Sequence, residues 1–261
     1  MIRVLSGIAI LVVVLSIIWM LPALWTLVLA ELIAFFAFFE YTGLASRVGI
    51  AFSKTATGVG VMITCGVVGL KVPAVPAVLM VSTITLGMIS VARGRRLTQI
   101  FPDVSAALFG LLYIGLPIGA LVSIRETGGK EALLLLLGCI MMSDTAQYYG
   151  GRVFGHRLLA PTISPNKTVE GAVVGLLAGT LVMLILGEWW LPTVRPLSRV
   201  LLGVSVVGLG IMGDLFESSL KRIAGVKDTS DLIPGHGGIL DRIDGLLFAT
   251  PLYYVVVNYS L

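Results

Sequence analysis

Charge is scarce in this sequence. Asp, Glu, Lys and Arg make up 12% of its 261 residues, against 57% hydrophobic. Soluble domains carry roughly twice that charged share. A soluble fold of this length could not hide so much apolar surface, so the lipid bilayer must be the solvent for most of the chain. Cysteine is nearly absent as well. Cys65 and Cys139 stand alone in apolar runs, outside any CxxC spacing, and read as small buried hydrophobes. Internal repeats and low-complexity segments are missing, which argues against a transporter built from inverted repeats. The net charge of +4 is modest. With its cations scattered in short loops, it reads as membrane orientation, not nucleic-acid binding.

What is present is a succession of apolar runs. The first continues from residue 4 to Phe39, interrupted only by Pro22 and Glu31. At ~1.5 Å per residue it exceeds about 50 Å, against a hydrocarbon core of about 30 Å. Two spans hinged at Pro22 are therefore expected in place of a cleaved leader. The whole pattern predicts an all-α polytopic membrane protein of about nine transmembrane helices. They fall near 4–20, 23–39, 55–70, 74–92, 104–123, 132–150, 171–187, 200–218 and 243–259. Residues 1–100 form an N-terminal region of about four spans. Residues 101–261 form the remaining region, expected to be the catalytic one from the motifs it carries, with two long polar connections, 151–170 and 219–243. With the N-terminus cytosolic, thirteen of the eighteen Lys and Arg residues fall inside and five outside, and both long connections face the cytosol. The sequon Asn166-Lys167-Thr168 then lies in a cytosolic loop and is a chance match.

Two glycine patterns read as packing. "GLGIMG", Gly208 to Gly213, fits the dinucleotide fingerprint GxGxxG but lies inside an apolar helix with no strand before it. Gly171, Gly175 and Gly179 recur every four residues, the spacing of a close helix–helix face in a membrane.

The intramembrane carboxylates carry more chemistry. Asp144 and Asp214 each lie within an expected span, where an aspartate costs roughly 2.5–3.5 kcal/mol. Asp144 precedes Arg152 by eight residues and Asp214 precedes Lys221 by seven. Both therefore lie about 10–12 Å below the cytosolic ends of their helices. Salt bridges to Lys221 or Arg152 are one explanation. Asp241 and Asp244, spaced i, i+3 at the start of the last span, add two more carboxylates on one helical face; simple N-terminal capping is the plainer alternative. Four such groups with no cation among them would repel severely, so a metal or a proton is required. Hard oxygen ligands suit Mg²⁺, which usually also binds substrate phosphates. Lys167, Lys221, Arg222, Lys227, Arg242 and His236 supply phosphate-binding groups, and Gly235, Gly237 and Gly238 let backbone N–H groups approach a ligand. For Glu31, near the midplane, a structural hydrogen bond and a function are equally open.

The stretch "SSLKRIAGVKDTSDLIPGHGGILDRID", from Ser218, resembles the signature of phosphatidate cytidylyltransferases (CDP-diacylglycerol synthases). Ser218, Lys221, Arg222, Lys227, Asp228, Ser230, Pro234, His236, Gly237, Gly238, Asp241, Arg242 and Asp244 fall in register with it. A second block, "SDTAQYYGGRVFGHRLLAPTISPNKTVEG", is similar to the family's upstream motif through Ser143, Asp144, Gly151, Arg152, Gly155, Ser164, Pro165, Lys167, Thr168, Glu170 and Gly171. The resemblance covers residues 143–244, while the first hundred residues match only as generic spans. It implies an enzyme that joins CTP and phosphatidic acid into CDP-diacylglycerol and pyrophosphate, working as a homodimer in the bilayer.

On that reading Asp214, Lys221, Asp241 and Asp244 are catalytic, and Asp144, Asp214, Asp241 and Asp244 hold Mg²⁺, with a second cation left open. Lys167, Lys221, Arg222, Lys227, His236, Gly237, Gly238 and Arg242 contact CTP or its phosphates. Asp144 either completes the metal shell or holds a phosphate-binding lysine. His236 is open between ligand, loop anchor and proton donor. The closest rival is a CTP-dependent lipid or polyprenol kinase, which needs the same polyphosphate site but makes a phosphorylated alcohol. A transporter is the more distant one.

Overall fold

The computed structural model describes residues 2–94, 96–232 and 237–259; Arg95, Pro234, Gly235 and His236 lie outside the described residues. Helices dominate in chain order: α1 (Ile2–Met20), α2 (Ala23–Arg47), α3 (Lys54–Gly69), α4 (Val75–Ala92), α5 (Leu97–Gly110), a π-helical turn (Leu111–Gly115) and α6 (Leu116–Phe154). A hairpin of β1 (Leu158–Ala160) and β2 (Ser164–Thr168) follows, then α7 (Val169–Trp190), α8 (Pro196–Ile223) and α9 (Leu240–Tyr259). Every apolar run read from the sequence coincides with helix. Among the described residues, five helical stretches are long and apolar enough to cross a membrane: Ala23–Arg47, Val75–Ala92, Leu97–Phe154, Val169–Trp190 and Pro196–Ile223. The apolar stretches Leu11–Met20 and Lys54–Gly69 are shorter.

Local chemistry marks the ends. Pro22 stands between α1 and α2 at φ −56° and ψ 156°. Ser53 caps α3, its Oγ accepting from Ala56 N at 3.4 Å. The long α6 is interrupted at Gly129, whose φ of 77° and ψ of 176° suit glycine alone. That break falls in the polar segment between the expected spans 104–123 and 132–150.

Among the described residues, a short hairpin is the one departure from helix in the paired elements of an otherwise all-α architecture. β1 and β2 pair antiparallel, with Leu158 opposite Thr168 and Ala160 opposite Ser164. Pro165 obscured the signal, since proline argues against a central strand. In a two-stranded ribbon both strands are edges, so the missing N–H can face away from the partner.

The chain forms two compact units. The first comprises Met1–Ser123 with Ile223–Arg242. Its helices approach closely through glycines of the π turn and α6: a Cβ on Gly115 would lie 2.9 Å from the Val61 carbonyl, and one on Gly119 would lie 2.5 Å from that of Cys65. Cys65 is fully buried, as expected, and its thiol bonds Glu31.

The second unit comprises Ile124–Arg222 with Ile243–Leu261. Cys139 is fully buried there. Gly171, Gly175 and Gly179 of α7 are buried against α6, where added Cβ atoms would sit 2.8 Å from the carbonyls of Gln147, Ser143 and Cys139 respectively. The glycine stripe is thus filled within the unit. Two of the three fingerprint-like glycines are packing residues too. Gly208 meets nothing within 4 Å, whereas Gly210 lies against Ile140 and Gly213 against α9.

Candidate active site

In the second unit, helix–helix contact brings the acidic residues together. A Cβ on Gly213 would lie 2.5 Å from the Asp244 carbonyl and 3.0 Å from Phe248 Cβ. α8 and α9 touch at backbone distance there, one residue before Asp214. The Asp244 carboxylate accepts from its own Gly245 N–H at 2.7 Å. It lies within the repulsive field of Asp214 and Asp144 and the attractive field of Lys167. Asp144, on α6, accepts from Gln147 Nε2 at 3.2 Å.

Lys167 reaches this cluster because the hairpin carries it. Thr168, the last residue of β2, caps α7 by accepting from Gly171 N at 3.1 Å. The other end of the hairpin is tied down by Glu170, whose Oε2 accepts from His156 N and Arg157 N at 3.0 and 3.1 Å. Lys167 Nζ then forms an ion pair with Asp214 Oδ2, with side chains 21% and 27% exposed. Ser218, one turn on, donates weakly to Asp214 Oδ1 at 3.4 Å.

This pairing replaces the salt bridge considered between Asp214 and Lys221. Seven residues separate those two, about 10 Å along a helix. Lys221 instead pairs with Glu217, four residues away, at 2.6 Å, and Glu217 is fully buried. The neighbouring Arg222 is exposed and donates from Nε to the Ile163 carbonyl at 3.1 Å, back onto the hairpin region.

In the first unit, the segment leading into α9 is organised by two carboxylates. Asp241 Oδ2 accepts from Gly238 N at 2.7 Å, Thr229 Oγ1 at 2.8 Å and Thr229 N at 3.0 Å. Glu40 of α2 is 4% exposed. Its Oε1 accepts from Ser230 Oγ at 2.6 Å and Ile239 N at 2.9 Å; its Oε2 accepts from Leu240 N at 2.8 Å and Thr229 Oγ1 at 2.9 Å. Gly237 has φ 79°. A side chain at Gly238 would strike both Glu40 oxygens and Thr229 Oγ1. Lys227 and Arg242 are exposed.

Glu40, Glu217 and Thr229 escaped the sequence reading. For Glu40 the signal existed: Ala34, Ala37, Tyr41 and Leu44 continue a helical stripe past Phe39, and all are buried. Glu217 was readable as the i, i+4 partner of Lys221. Thr229 was not, because its role depends on a helix almost 190 residues away.

The donor set of Asp144, Asp214 and Asp244 suits a hard cation. Among the described residues no three acidic, His or Cys groups form a ready-made cage. Mg²⁺ keeps waters and typically takes one or two carboxylates plus phosphate oxygens. A separate small cleft in the first unit, bordered by Ser53, Ser90, Arg93 and Asp103, contains none of these residues.

A model of the cytidylyltransferase family matches residues 1–260. The chain is 36% identical over 157 residues to a phosphatidate cytidylyltransferase of Staphylococcus saprophyticus, covering 60% of each chain. It is 42% identical over 129 residues to a phosphatidate cytidylyltransferase of Haemophilus influenzae, covering 48% of this chain and 45% of the relative. It is also 39% identical over 132 residues to the uncharacterized protein YnbB of Escherichia coli, covering 51% and 44%. The chain spans about half the length of the curated relatives it matches.

Proposed function

Because the chain belongs to the cytidylyltransferase family, we propose that it is an integral membrane enzyme making CDP-diacylglycerol and pyrophosphate from CTP and phosphatidic acid. The observation that carries this reading is the sharing of one electrostatic neighbourhood by Asp144, Asp214, Asp244 and Lys167. Such a mixed cluster is what a polyphosphate substrate needs.

A phosphatidate oxygen attacks the α-phosphorus of CTP. The new P–O bond forms as the bond to the β-phosphate bridging oxygen breaks, and pyrophosphate leaves with that electron pair. The attacking oxygen is already anionic, so no general base is required. Positioning and charge neutralisation supply the catalysis. One or two of Asp144, Asp214 and Asp244 would hold Mg²⁺, which when bound polarises phosphoryl oxygens and offsets their charge. Lys167, oriented by Asp214 and by the hairpin, presents a cation to phosphate. Glu217 fixes Lys221 for the same purpose. Lys227 and the backbone of Gly237, in the segment preceding α9, and Arg242, in the first turn of α9, serve the triphosphate. Asp241 keeps that segment folded through its Oδ2.

We place nine spans in a bacterial inner (plasma) membrane, with the N-terminus and both long connections in the cytosol, on the strength of the Lys and Arg distribution. Homodimerisation, implied by the resemblance, would need a face other than the α7 glycine stripe.

The test is to incubate purified protein with phosphatidic acid and each of the four ribonucleoside triphosphates, with Mg²⁺ or EDTA, and to identify the lipid product. CDP-diacylglycerol from CTP alone, lost in EDTA, is expected. Equal use of ATP, full activity in EDTA, or a lipid that gains only a phosphate would overturn the proposal.

A further inference from the structure

Glu40 lies in the N-terminal half of the chain, far from either motif block in sequence, yet both its carboxylate oxygens are hydrogen-bonded to residues of the signature. It takes four hydrogen bonds of 2.6–2.9 Å from residues 189 to 200 positions away. Two donors, Thr229 and Ser230, follow the cation Lys227. The other two are the backbone N–H groups of Ile239 and Leu240, at the opening of α9. A helix start leaves such N–H groups without intrahelical partners, and its positive end favours a carboxylate. Glu40 therefore caps α9 from another helix and ties both ends of the segment to one side chain. Thr229 Oγ1 also lies 2.8 Å from Asp241 Oδ2, so the two carboxylates share its single hydroxyl proton as a common anchor.

We propose that Glu40 is a positioning residue, which holds residues 229–230 and 239–240 in the arrangement that presents Lys227, Gly237 and Arg242 to the triphosphate of CTP. This deepens the proposed reaction and rests on it. The geometry makes a specific demand on chemistry. Each Glu40 oxygen receives one backbone N–H, and backbone donors cannot turn round. An isosteric glutamine must aim its NH₂ at one of them, so Glu40→Gln is expected to fail although it fills the same volume. Aspartate, one methylene shorter, cannot reach both.

The experiment uses full-length protein in mixed micelles and compares wild type with Glu40→Gln and Ser230→Ala. The readouts are KM for CTP, KM for phosphatidic acid, kcat, and amide hydrogen exchange. In Glu40→Gln, KM for CTP should rise at least 10-fold, while that for phosphatidic acid stays within 2-fold. Ser230→Ala, which deletes one of four donors, should raise KM for CTP about 3-fold or more. A role confined to stability would lower kcat with the folded fraction and leave KM for CTP unchanged, and that result overturns the proposal. If Glu40→Gln yields no folded protein, Ser230→Ala decides on the same criterion. If wild type makes no CDP-lipid, the reaction is wrong, and exchange decides the anchoring separately: faster exchange at residues 238–241 in Ser230→Ala or Glu40→Gln supports it, and unchanged exchange refutes it.

Discussion

Removing the ion pair between Lys167 and Asp214 should separate its structural role from its chemical one. A truly buried pair costs roughly 3–5 kcal/mol when one partner is lost, and an exposed one about 0–1. With side chains 21% and 27% exposed, this pair falls between, at about 2 kcal/mol. The two single variants should not be equal. Lys167→Met leaves Asp144, Asp214 and Asp244 repelling one another without their cation. Asp214→Asn removes one of the repelling charges along with the pair. Lys167→Met should therefore be the less stable, by about 4–8 °C below wild type on the scaling for domains of this size. Added Mg²⁺ should recover part of that loss if the carboxylates bind it. The double variant should regain most of the stability, since one charge of each sign has gone. Its rate of CDP-lipid formation should nevertheless stay below about a hundredth of wild type, because a group acting on the transition state is missing. The assays are thermal unfolding in detergent, with and without Mg²⁺, and product formation from CTP and phosphatidic acid. A double variant at wild-type rate, or a Lys167→Met protein no less stable than Asp214→Asn, would refute the reasoning.

Two further perturbations probe the packing around the cluster. Gly213→Ala places a methyl 2.5 Å from the Asp244 carbonyl, so α8 and α9 must separate; a loss of about 1–3 kcal/mol and at least a 10-fold slower reaction are expected, whereas Gly208→Ala, with nothing within 4 Å, should leave both unchanged in the same unfolding and turnover assays. Glu217→Ala strands Lys221, whose side chain is 11% exposed, and should cost roughly 3–5 kcal/mol; Glu217→Gln combined with Lys221→Met should restore the unfolding temperature, yet show no turnover if Lys221 serves phosphate.

The sequence by itself determined the helical membrane architecture, because apolar run length and scarce charge are properties of composition and period. It also determined which residue types could handle a polyphosphate, since the carboxylates Asp144, Asp214 and Asp244 declare themselves by standing in apolar surroundings. Tertiary structure decided the partners. Lys167 and Asp214 are 47 residues apart and meet only because a proline-containing hairpin, unreadable as strands, swings the lysine onto α8. Lys221, adjacent in the motif, was drawn instead to Glu217, since a helix brings residues four apart together and sets residues seven apart two turns away. The glycine spacing on α7 announced a close contact without naming its occupant, which proved to be α6 of the same unit. Glu40 shows the limit most sharply. Its burial follows from a stripe legible in α2, but its purpose lies in two backbone N–H groups at the start of α9, and no local pattern records which distant helix end a carboxylate will cap.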